Sequence, residues 1–207
     1  REGHIREMAI DRSGGIWLGT ESSGLLRLTR SGLTSFGRED GLPTSRIRSI
    51  FETPGGELHV LADVDLARWT GSRFVAARPN IPPTIHAMGW GWNQIYLEDH
   101  VGEWWIATAE GLVRFPRVAR TEDLARVAPL RVYTKKDGLS GDEIFRLYED
   151  RRGDIWISTL GGGPDRLNRW ERATGRIRHY ALPGRFASNP PTAFAEDRAG
   201  DLWIGFS

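Results

Sequence analysis

The chain has 207 residues, a formal charge of +1 and no cysteine. That excludes disulfides and thiolate metal sites, and it gives no electrostatic footing for nucleic acid or an anionic membrane surface. No stretch approaches the roughly 20 apolar residues that cross a bilayer. Nine tryptophans are many for this length, and their placement is the main signal.

In chain order, an apolar strand from Ile5 to Ile10 leads into Asp11-Arg-Ser-Gly14-Gly-Ile-Trp17-Leu. The next strand, Ile47 to Phe51, precedes Thr53-Pro-Gly-Gly56-Glu-Leu-His59-Val. Ile95 to Leu97 precedes Asp99-His-Val-Gly102-Glu-Trp-Trp105-Ile. Ile144 to Tyr148 precedes Asp150-Arg-Arg-Gly153-Asp-Ile-Trp156-Ile, and Thr192 to Ala195 precedes Asp197-Arg-Ala-Gly200-Asp-Leu-Trp203-Ile. Successive anchor positions lie 42 to 51 residues apart, the span of one four-stranded propeller blade.

Each motif reads as a hairpin. The Asp carboxylate accepts turn N–H groups and the Gly takes positive φ. The second strand carries the Trp. Third strands follow at Gly24–Leu28, Leu66–Trp69, Gly111–Phe115 and Leu167–Trp170, and fourth strands at Leu33–Phe36, Arg73–Ala76, Arg131–Tyr133 and Ile177–Tyr180. The resulting fold class is all-β: a β-propeller fragment of about four four-stranded blades plus a partial fifth. The blades run approximately 5–36, 47–76, 93–134, 144–180 and 191–207 within a single partial propeller, 1–207. The structural anchors are Asp11, Gly14, Trp17, Asp99, Gly102, Trp105, Asp150, Gly153, Trp156, Asp197, Gly200 and Trp203. An indole offers roughly 150 to 250 Å², so four Trp in register are expected to fill the spaces between blades.

These residues resemble the two-component-regulator propeller repeat, whose unit has the form D-G-L-P…I…E-D-x-x-G-x-I-W-I-G-T…G-G-L-x-R. Asp40-Gly-Leu-Pro43 and Asp137-Gly-Leu-Ser140 match its start; Glu149 to Thr159 matches its centre; Thr174 to Tyr180 matches its closing turn and strand. Departures are Thr53 and His59 in place of Asp and Trp, and a small insertion at Gly161–Asp165. A longer excursion, Pro116 to Leu130, carries Thr121 as the expected cap of a short helix. The resemblance implies one stretch of a seven-bladed propeller in the periplasmic or other extracytoplasmic portion of an inner-membrane protein, such as a sensor histidine kinase. It also implies that the chain is a fragment, with apolar sheet faces exposed at both ends.

The implied partners are a saccharide or other small ligand, the remaining blades and downstream signalling domains of the parent chain, and a homodimer; nucleic acid is not among them. No cofactor, metal or catalytic residue is expected. The acidic pairs Glu98-Asp99, Glu149-Asp150 and Glu196-Asp197 recur once per unit and read as structure, whereas a catalytic pair is needed once. Five histidines (His4, His59, His86, His100, His179) show no metal-cage spacing. Gly161 to Gly163 reads as a turn, since a phosphate loop needs a helix to follow. The one non-repeating, aromatic-rich stretch is 79–94. It carries His86, Trp90, Trp92 and Asn93, the candidate ligand-binding residues. The competing reading makes Trp90 and Trp92 core of a remodelled first strand in the third unit. The rival function is a propeller lyase similar to streptogramin lyase, which needs His and carboxylates to converge; a protein-interaction scaffold is the third.

Overall fold

The structure, a computed structural model, describes residues 4–91 and 93–206; Trp92 lies outside them. The chain is all-β. Eighteen strands form four four-stranded antiparallel sheets and one hairpin, each sheet a simple up-and-down meander. The first sheet holds β1 (Ile5–Ile10), β2 (Ile16–Thr20), β3 (Leu25–Thr29) and β4 (Gly32–Phe36), and the second β5 (Ile47–Glu52), β6 (Leu58–Ala62), β7 (Asp65–Trp69) and β8 (Phe74–Ala77). The third holds β9 (Tyr96–Glu98), β10 (Trp104–Thr108), β11 (Gly111–Phe115) and β12 (Arg131–Tyr133). The fourth holds β13 (Ile144–Glu149), β14 (Ile155–Thr159), β15 (Leu167–Trp170) and β16 (Ile177–Tyr180), and the hairpin β17 (Pro191–Glu196) and β18 (Leu202–Phe206). Numbered as blades one to five, these are the expected propeller units.

Two compact units result: Arg1–Asn80 with Val118–Ala128, and Ile81–Arg117 with Pro129–Ser207. In the first, β5 packs on β1 and β2. In the second, β13 packs on β9 and β10, and β17 on β13 and β14. Within a unit, therefore, each blade lays its first strand against the first two strands of the blade before it.

The four Trp anchors occupy equivalent places, each in the second strand and cross-strand from the same position of the first: Ala9 faces Trp17, Leu97 faces Trp105, Tyr148 faces Trp156 and Ala195 faces Trp203. Each indole also donates a hydrogen bond to its own turn aspartate. Trp17 Nε1 lies 2.7 Å from Asp11, Trp105 2.9 Å from Asp99, Trp156 2.8 Å from Asp150 and Trp203 2.9 Å from Asp197. The other oxygen of each carboxylate accepts two backbone N–H groups, as Asp150 does from Arg152 at 2.9 Å and Asp154 at 3.0 Å. The turn glycine needs its left-handed backbone here, with φ of 78° at Gly153.

Two of the four indoles fill the space between blades as expected. Trp17 is boxed by Trp69 and Phe74 of the next blade, and Trp105 meets Trp170 at 4.8 Å. Trp156 is half-buried, and Trp203 is 66% exposed. The burial of Trp17 and Trp105 comes from the third and fourth strands of the following blade, through Trp69 and Phe74 and through Trp170.

The second blade changes both members of the pair together. Thr53 stands for the Asp and His59 for the Trp, and the buried His59 ring stacks on Phe51 while its Nε2 lies 2.7 Å from Thr121 Oγ1. Thr121 therefore does not cap its short 3₁₀ turn, Thr121–Ala125. Arg120 is the capping position, and Thr121 is buried against His59.

Removing the indole donor should cost in proportion to burial. Trp105→Phe leaves the fully buried Asp99 short of a hydrogen bond and should lose about 3 kcal/mol. Trp203→Phe should leave the melting curve nearly unchanged. Equal losses in a denaturant titration of the two variants would contradict this account.

Candidate functional site

The acidic pairs resolve into two structural duties. The Asp holds its own turn and Trp. The Glu before it, at the end of the first strand, reaches back to the previous blade, where it accepts the N–H that follows that blade's turn Asp. Glu52 takes Arg12 N–H at 3.0 Å, Glu149 takes His100 N–H at 2.8 Å, and Glu196 takes Arg151 N–H at 2.9 Å. Asp11 shows the electrostatic result. Burial pushes its pKa up, but hydrogen bonds from Ser13, Trp17, the Gly15 N–H and Arg27 outweigh it and hold it well below the usual carboxylate range.

Beside these clasps lie grooves that recur with the joint. One of about 350 Å³ is lined by Asp11, Arg27, Glu52 and Trp69, and one of about 190 Å³ by the equivalent Asp150, Arg169 and Glu196. Between blades three and four, Arg172 occupies the corresponding place, 2.6 Å from Asp99 and 2.7 Å from Gly153 O. Two residues after Trp69, where Arg172 would fall, the second blade has Gly71. A feature repeated between blades one and two and between blades four and five serves the joint.

One feature occurs once. The first strand of blades one, two, four and five carries a single bulged residue at the same place: Arg6, Arg48, Phe145 and Thr192. In blade three, Met88 bridges Thr108 and the ladder resumes only where Ile95 O accepts Ala107 N–H. Six residues, 89–94, thus replace one. Bulges next to binding sites re-aim side chains, and this one has become a loop.

The loop lies across the first strands of blades four and five. Gln94 O accepts Leu147 N–H at 2.7 Å. Its side-chain amide donates to Phe194 O at 3.0 Å and accepts Phe194 N–H at 3.2 Å. Trp90 stacks on Phe145 with ring centroids 5.8 Å apart, and the Arg146 guanidinium lies 3.9 Å over the same Phe145 ring. Arg146 is itself fixed by Thr192 O at 2.9 Å. Asn93 and Gln94 have φ of 48° and 52°, left-handed conformations that cost a non-glycine residue roughly 1–2 kcal/mol and concentrate at ligand sites.

Of the four residues singled out, Trp90 and Asn93 sit on this loop, and both are exposed. Trp90 is 65% exposed, so it is not core of a remodelled strand. His86 lies apart, its Nδ1 3.2 Å from Glu110; Trp92 is outside the described residues. Sequence reasoning missed Phe145, Arg146 and Gln94. Phe145 and Arg146 sit in an ordinary repeat unit, and only the bulge register marks them. Among the described residues no three His, Asp or Glu side chains could jointly hold a metal ion.

Comparison with known proteins agrees with the repeat. Residues 138–161 match the family model described as two component regulator propeller. This segment is similar to a two-component regulator propeller repeat. Its Gly138 has φ of 106° and places Leu139 in the core, and its centre is the Asp150–Trp156 hairpin. The extracellular domain of the putative hybrid two component system BT4673 from B. thetaiotaomicron is similar in structure, with TM-score 0.74 at 22% identity over 99% of this chain and 29% of that one. The corresponding domain of BT3049 gives 0.71 at 19%, over 98% and 26%. Virginiamycin B lyase from Staphylococcus aureus gives 0.63 at 12%, over 97% and 62%. These identities establish the propeller fold alone, and this chain spans less than a third of the two sensor-system domains. No curated protein matches its sequence.

The buried His59 predicts a pH dependence. Burial lowers its pKa from 6.5 to about 4; the Glu57 carbonyl and Glu122 oppose that, and Arg68 adds to it. The folded chain keeps the ring neutral while the unfolded chain protonates it. Stability should therefore fall as the pH drops from about 6.5 towards 4, by roughly 3 kcal/mol if His59 acts alone, and level off below. Subtracting the curve of His59→Gln from that of the parent in urea titrations isolates this slope; identical curves would contradict it.

Proposed function

We propose that this chain is a ligand-binding segment of the sensor propeller of a bacterial membrane-anchored signalling protein, facing the extracytoplasmic side and doing no chemistry of its own. The observation that carries the reading is the 89–94 loop. Among the described residues it is the one departure from the repeat that adds exposed aromatic surface, at Trp90, on a base of Phe145 and Arg146. It lies on the first strands, the side on which propellers surround their channel.

Support for sensing comes from the family of residues 138–161 and from the fold shared with extracellular domains of hybrid two-component systems. Among the described residues no helix is long and apolar enough to cross a membrane. The lyase reading has less support. His59 faces Thr121, His86 faces Glu110, His100 faces Glu149 and His179 faces Gly138 O, so these four histidines serve four separate places.

An exposed indole on such a base suits the apolar face of a saccharide ring. A panel of saccharides screened by thermal shift should yield a binder whose shift is lost in Trp90→Ala. The unliganded melting temperature should stay within about 1 °C, because an exposed side chain contributes little to stability. A binder that shifts both proteins equally would place the site elsewhere.

A further inference from the structure

Residues 89–94 do more than present Trp90: they touch three consecutive blades. Gly89 is wedged between two of them. A Cβ there would lie 2.8 Å from Ala107 O of blade three and 3.0 Å from Ile144 O of blade four, and its φ is not left-handed, so this glycine answers to space alone. Gly91 sits against the Arg146 guanidinium, where a Cβ would collide with Nη1. Trp90, between the two glycines, stacks on Phe145.

The far end of the loop is fixed on blades four and five. Gln94 O takes Leu147 N–H of blade four, and the Gln94 side-chain amide takes both the N–H and the C=O of Phe194 in blade five, as a neighbouring strand would. Arg146 reaches the same strand at Thr192 O. Phe145 and Thr192 are the bulged residues of blades four and five. The loop thus bears on the places where those strands already leave the ladder, and where a shift breaks fewest backbone bonds. Phe194 is itself buried, its ring 6.2 Å from Tyr148 of blade four.

We infer that residues 89–94 form a strap that ties the first strands of blades three, four and five into one unit, so that a ligand on Trp90 tightens blade five through Gln94. The ligand half of this inference rests on the function proposed above. It follows from linkage: a ligand that stacks on Trp90 only while the loop is seated on Phe145 must stabilise the seated loop, and with it every strand the loop holds. Gln94 is then a positioning residue, acting on the ligand site through the strap.

Amide hydrogen exchange separates a strap from a row of independent contacts. In a strap, the Leu147 and Phe194 amides open together and show matching protection. Gln94→Asn keeps a residue that tolerates the left-handed backbone but is one methylene too short for Phe194, while Leu147 retains its own backbone acceptor. Both amides should nevertheless exchange about tenfold faster in this variant, with circular dichroism and the exchange of β5 unchanged. Gln94→Glu, equally long but without a donor for Phe194 O at neutral pH, should do the same and serves if the first variant fails to fold. The ligand arm uses a saccharide that shifts the melting of the parent and not of Trp90→Ala. At ten times its Kd both amides should slow about tenfold in the parent, and Phe194 should not respond in Gln94→Asn. Unequal protection in the parent, acceleration of Phe194 alone, or a Trp90-dependent saccharide that leaves Phe194 unchanged overturns the inference. A panel that yields no binder removes the proposed function and the ligand half with it, while the strap stands or falls on the ligand-free exchange.

Discussion

A carboxylate shared between a tight turn and an indole is the element on which the blades depend. One oxygen of Asp11, Asp99, Asp150 and Asp197 closes the turn by accepting two backbone N–H groups, and the other takes the indole N–H six residues on. Hydrogen bonds to a charged group are each worth about 1.5–3 kcal/mol net. They also fix the rotamer of the largest side chain in the sheet. With the indole held from behind, its far face is presented to the next blade in one orientation. The first strand of that blade then returns a Glu to the turn, so turn, Trp and joint are ordered together. Local turn chemistry thus sets the long-range packing.

The second blade shows that the pair behaves as one unit. With Thr53 in the turn there is no carboxylate to receive an indole, and the position carries His59, whose ring bonds sideways to Thr121. That bond anchors residues 118–128, whose Glu122 accepts from Arg68 at 2.6 Å. An excursion that looks like a long connection in sequence thereby replaces the missing Asp–Trp brace.

Most of the fold was legible because the repeat is carried by residues whose roles are local: Asp and Gly in the turn, alternating apolar residues in the strands, Trp at a fixed offset. Less legible was anything that depends on which blade lies alongside. The Glu before each Asp could be read as structural from its recurrence, but not as the clasp to the preceding turn. Trp203 could not be told from Trp17, since the two differ in what covers them and not in their own motifs. Thr121 read as a cap because Thr before Glu-Asp-Leu favours one, yet a buried imidazole competes for the same hydroxyl. At the candidate site, Trp90 and Asn93 stood out by departing from the repeat. Phe145 and Arg146 were hidden inside the segment that matches the repeat best.

The placement of the loop follows from the same constraint. The Asp–Trp brace acts at the turn end of the first strand, at Asp99 in blade three, and so does the Glu clasp of Glu52, Glu149 and Glu196. The bulge end is already irregular in the other four blades, so added chain costs no ladder hydrogen bond that those blades make. A first strand is also an edge strand, whose outward N–H and C=O groups need partners. Residues 89–94 supply them, through Gln94 to Leu147 and Phe194. The insertion is thus stabilised by groups the sheets leave unpaired, and Trp90 is free to face outward. Blade three can carry a specialised surface because the element that holds the blades together lies at the other end of the strand.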